Sequence, residues 1–117
     1  MATTLELQLS KDAEKIGIEV SPGKIEQKLR RDAELIMLAS LAEAAANAAK
    51  KLTEVNICLD LVETFNNVSD AEAVVTISKD DVKRLVDSFE ATAGRRAIGW
   101  FRYCRPMLKQ LQQAATA

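Results

Sequence analysis

No glycine or proline occurs between Gly23 and Gly94, so 70 consecutive residues lack both of the strongest helix breakers. An all-β chain would have to turn there without its usual turn residues. Strand-favouring aromatics number only five, Phe65, Phe89, Trp100, Phe101 and Tyr103. Alanine, the best helix former, supplies 18 of the 117 residues. The reading is all-α: one domain over residues 1–117, a small helical bundle built on one long central helix.

Local signals fill in the elements. Leu5, Leu7 and Leu9 alternate with Glu6 and Gln8, which suits a short strand or an extended arm over 1–9. Ser10 as a cap and Glu14 in the first turn predict a short helix ending at Gly17. Ser21–Pro22 reads as the next start, serine capping and proline in the first helical position. That central helix is expected from about Pro22 to at least Leu52, with helical spacing continuing to Asn66 and a bend near Lys51–Thr53 left open. Asn66–Asn67 and Ser69–Asp70 form the first good stop. Residues 73–77 are ambiguous between strand and helical turn, and pairing them with the arm would make a two-stranded accessory ribbon.

The apolar stripe of the central helix changes sides. Ile25, Leu29 and Ile36 share one face, Leu38, Leu41, Ala45 and Leu52 nearly the opposite one, and residues 35–42 are apolar all round except Ser40. Such a helix needs different neighbours at its two ends. Seven of the eleven residues from Ala39 to Ala49 are alanine, which admits a close helix–helix approach. Further on, Ser78 with Asp80 and Asp81 is a capped start, and Val82, Leu85, Val86 and Phe89 follow at helical spacing. A last helix is expected from about Arg95, kinked or restarted at Pro106, with 112–117 as a frayed tail.

The composition argues against catalysis. There is no histidine, hence no common general base and no common metal ligand. Neither a Gly-rich phosphate loop nor a nucleophile elbow occurs, and the carboxylate pairs Asp80–Asp81 and Asp60–Glu63 are explained by a cap and a solvated helix face. No loop has calcium-binding spacing, so no metal, cofactor or small-molecule substrate is expected. Cys58 and Cys104 stand 46 positions apart among apolar neighbours, outside any redox or zinc spacing, and read as buried small hydrophobes. With no signal-like or membrane-length apolar run, the expected setting is the cytoplasm.

Net charge is −1, but its distribution is uneven. Residues 53–77 carry five acids and no base, while 93–117 carry five bases and no acid. The basic stretch also holds Trp100, Phe101 and Tyr103. Arg, Trp and Tyr dominate interface energetics, so the candidate partner-binding residues are Trp100, Arg102, Tyr103, Arg95, Arg96 and Arg105. The leading expectation is a non-enzymatic interaction protein, a small regulator, adapter, inhibitor or dedicated chaperone that docks helices on another protein or on itself as a homodimer. The competing class binds nucleic acid through 95–109, including Lys109, and the acidic half disfavours it. Ala13, Gly17 and Ile18 resemble the start of a helix-turn-helix, but Gly23 stands where that motif needs a branched apolar residue.

Overall fold

The computed structural model describes residues 4–92 and 96–116, with backbone alone at 92 and 96–99. Its elements are β1 (Thr4–Gln8), β2 (Lys15–Ser21), β3 (Lys24–Leu29), α1 (Arg30–Ala48), α2 (Leu52–Asn66), β4 (Val74–Ser78), α3 (Lys79–Thr92), a 3-10 helix (Arg96–Cys104) and α4 (Arg105–Thr116). The fold is therefore α+β, and the all-α helical bundle is overturned by two antiparallel two-stranded sheets, β1–β4 and β2–β3.

Each sheet follows from alternation that burial rewards. β1 and β4 pair with Leu5 opposite Ile77 and Leu7 opposite Val75. Leu7, Val75 and Ile77 are buried, so this ribbon is part of the core. In β2, Ile16 and Ile18 point inward. Gly17 lies in that strand with Gln27 opposite it, which removes both the short helix from Ser10 and any helix-turn-helix. Ser10 in fact donates its backbone N–H and its hydroxyl to the carboxylate of Glu34, both at 2.8 Å.

Pro22 opens a turn and not a helix. Pro22 and Gly23 link β2 to β3, and Gly23 has φ +77°, the left-handed value that the position after proline needs in a type II turn. The same dipeptide thus satisfies two rules, and strand pairing selects the turn. Helix α1 begins only at Arg30. The long central rod is broken at 49–51, where Ala49 and Lys51 take extended ψ values of 143° and 136°. No glycine or proline marks this break. Helix α2 folds back along α1 and buries Cys58, Leu61 and Phe65.

Helix α1 is the centre of the domain. Ala33, Glu34, Leu35, Met37, Leu38, Ala39, Leu41, Ala42 and Ala46 are all buried, and α2, α3, β2, β3 and the 3-10 helix lie against it. The alanine-rich stretch does make a close approach: the Ser88 hydroxyl of α3 donates to the Leu41 carbonyl at 2.8 Å. Ser78 caps α3 by accepting from the Asp81 N–H at 3.1 Å. The chain restarts as α4 at Arg105, with Pro106 in its first turn, where its missing N–H costs nothing. Helix α4 runs to Thr116 with Leu111 buried, so the tail expected to fray from 112 is helical through that residue.

A Cβ at Gly23 would meet nothing within 4 Å, so substitution there probes backbone conformation alone. Gly23→Ala should cost about 1–2 kcal/mol in urea unfolding, and Gly23→Asn should recover part of that loss. An alanine variant as stable as the parent would remove the turn assignment.

Candidate functional site

Two arginines open α1, the end of a helix where the macrodipole disfavours cations. Tertiary partners hold them. Arg31 donates to the carbonyls of Ser69 and Glu72 at 2.9 and 2.6 Å and faces Asp32 at 3.2 Å and Asp70 at 3.7 Å. It thereby ties the loop before β4 to the start of α1. Arg30 pairs with Glu14 at 2.8 Å and Asp12 at 3.4 Å, and donates to the main-chain carbonyl of Tyr103. Arg84 of α3 grips Glu54 of α2 with two parallel bonds, 3.0 and 3.1 Å, and reaches Asp81 at 2.8 Å. The Arg84 guanidinium holds the Glu54 carboxyl below its ordinary range.

The C-terminal segment differs. Phe101, Cys104, Met107 and Leu111 are buried, while Arg102, Tyr103, Arg105 and Lys109 are exposed. Arg102 lies near the end of the 3-10 helix and Arg105 opens α4, where Lys109 stands one turn further on the same face as Arg105. The Arg102 guanidinium carbon sits 5.1 Å from the Tyr103 ring centroid, and its Nη2 donates to the Tyr103 hydroxyl at 3.2 Å. Among the described residues, no carboxylate pairs with Arg102, Arg105 or Lys109. Among the described side chains, Arg30, Arg31 and Arg84 are ion-paired within the fold, while Arg102 meets only Tyr103 and Arg105 has no carboxylate partner.

The expected site residues separate. Arg102, Tyr103 and Arg105 share this surface. Trp100 is half-buried, packed edge-on to Phe101 with centroids 4.6 Å apart, and so supports the surface from the core side. Arg95 lies outside the described residues, and Arg96 is described only as backbone opening the 3-10 helix. Sequence reasoning missed Arg30, which fixes the Tyr103 main chain. With the helix expected from about Pro22, Arg30 read as mid-helix, and only the observed start of α1 at Arg30 shows a cation at the end the dipole disfavours.

Beneath this surface lies a buried polar cluster. Glu34 is fully buried, its two oxygens accepting from Ser10. Burial pushes its carboxyl above the ordinary range, against the Ser10 bonds and the nearby Arg30 charge. Burial, then the Glu34 charge, pushes the Cys104 thiol up to about 12. Burial likewise raises Cys58. A thiol held protonated is a poor nucleophile. Among the described residues no group of three or more Cys, Asp or Glu side chains could hold a metal ion, and no helix is long and apolar enough to cross a membrane. Comparison with protein-family models, with characterised proteins and with solved structures gives no match.

Both cysteines should resist alkylation in the native protein at mildly alkaline pH and react fully in denaturant, as read by mass spectrometry. Fast native labelling at Cys104 would contradict its burial. Glu34 carries a pH signature. Because its folded pKa lies above the unfolded one, the folded state binds the proton more tightly, and stability is lost as pH rises from about 4.5 through the folded value. Glu34→Gln should therefore gain stability relative to the parent as pH is raised toward neutrality, in melts at several pH values.

Proposed function

We propose that this protein is a non-enzymatic interaction protein that binds an acidic segment of another protein through Arg102, Tyr103, Arg105 and Lys109. One observation carries the reading: Arg30, Arg31 and Arg84 are ion-paired within the fold, whereas Arg102 and Arg105 are exposed with no carboxylate partner among the described residues. The surface is also held in advance of binding. The Tyr103 main chain is tied to Arg30 of α1, and the 3-10 helix is seated by Phe101 and Cys104, so little ordering entropy is lost on docking. Tyr103, 46 % exposed, supplies a rigid amphipathic surface beside the charges.

A regulator, adapter, inhibitor or dedicated chaperone would act this way, and the free, protonated thiols suit a reducing cytoplasm. Self-association would use a different surface, the corner between α1 and α2.

The test is a photo-crosslinking residue at position 103 in the cell that makes the protein, with adducts identified by mass spectrometry. The expected adduct is a protein contacted through an acidic segment, lost in the Arg102→Glu/Arg105→Glu double variant while the thermal melt is unchanged. With the identified partner in hand, Tyr103→Ala should weaken binding by about 1–2 kcal/mol. Adducts to nucleic acid, with affinity falling steeply as salt is raised, would replace this reading by the nucleic-acid one.

A further inference from the structure

A recess of about 660 Å³ lies at the corner where α1 ends and α2 begins, with α3 as its far wall. Ala44, Ala45 and Ala48 of α1 and Ala91 of α3 line it, and their short side chains leave the space open. The volume is that of a site for several apolar side chains. Lys51, on the rim, is followed by Leu52, which at 77 % exposure is the most exposed large apolar side chain among the described residues. Leu59, 45 % exposed, lies two turns further along the same face of α2, with Val55 between them. Lys50 and Lys51 on one lip and Asp87 on the other make no ion pair within 4 Å among the described residues, although the Lys51 charge is felt by Glu54, whereas Arg84 between them is held by Glu54 and Asp81.

We propose that this corner is where two copies of the chain meet about a two-fold axis, Leu52 of each entering the alanine recess of the other and Lys51 of each facing Asp87 of the other. The argument for a second copy is self-complementarity. A two-fold interface requires one surface to carry both halves of every contact. Here an apolar knob and an apolar recess adjoin, and charges of opposite sign that form no close ion pair among the described residues flank them. A stable interface buries roughly 800 Å² per partner, about a tenth of this chain's 7472 Å² accessible surface. A single leucine in a recess falls short of that area, so the contact extends along α2 through Val55 and Leu59. The pairing is independent of the basic surface at 102–109.

Sedimentation equilibrium of the full chain, from micromolar to millimolar, should show a reversible monomer–dimer equilibrium. Leu52→Glu should raise the dimer Kd at least about tenfold, and its melt should match the parent's at concentrations low enough for both chains to be monomeric, since the side chain is solvent-exposed. Lys51→Glu and Asp87→Lys should each weaken self-association, because each places like charges opposite one another at both contacts. An equimolar mixture of these two variants should form a heterodimer, because both cross-pairs are then of opposite sign. Arg102→Glu/Arg105→Glu should dimerise like the parent. A parent chain that stays monomeric, a Leu52→Glu chain that dimerises undiminished, or a mixture that gains nothing over its components would each overturn the proposal.

Discussion

The burial of α1 on nearly every side is the constraint on which the rest of this structure depends. A 19-residue helix with Met37, Leu38, Leu41 and Ala42 all out of water must be covered by several neighbours at once. Each large apolar side chain so buried contributes roughly 1.5–3 kcal/mol against the entropy of ordering the chain. One helical partner cannot supply that cover. The chain answers with α2 folded back along it, α3 close enough for a hydrogen bond to a mid-helix carbonyl, and the β2–β3 hairpin at its N-terminal end. The alanines make the close approach possible, and the same small side chains leave the recess at its C-terminal end.

Charges finish what apolar burial begins. The loops before β2 and β4 have few apolar anchors, and arginines at the start of α1 fasten them through carbonyls and carboxylates. Exposed ion pairs contribute little individually, but a guanidinium with several acceptors selects one loop geometry. Arg30 links two levels of the molecule, joining the Asp12–Glu14 loop to the carbonyl of Tyr103. The fold's internal wiring therefore positions the surface proposed to bind a partner.

The reading of individual residues succeeded where the physics was local and failed where two local rules competed. Ser78 with its acids gave a capped helix because its hydroxyl needs only the next turn of backbone. The Leu5–Leu7 alternation gave the β1 strand, and its pairing with Val75 and Ile77 of β4 was settled by the core both had to reach. Ser21–Pro22, by contrast, fits a helix start and a type II turn equally. Only the strand register of Glu19 with Ile25 and Ile18 with Glu26 decides between them. Ser10 likewise fits a cap, yet its hydrogen bonds go to Glu34, 24 residues away. At the functional level, Arg102, Tyr103 and Arg105 were legible as basic and aromatic. Their freedom from carboxylates, and the inward position of Trp100, were not.

By itself, the amino-acid sequence determined the mainly helical content, the cap of α3, the restart of the chain near Pro106, the apolar character of both cysteines and the segregation of acids from bases. These are properties of neighbouring residues, set by propensity, side-chain volume and charge. Tertiary structure alone decided that Pro22–Gly23 is a hairpin turn, that the helical run breaks at 49–51 without a breaker, and which of the described arginines pair with carboxylates. Those outcomes depend on which distant surfaces share α1, because packing energy summed over many contacts outweighs the few tenths of a kcal/mol by which local preferences differ.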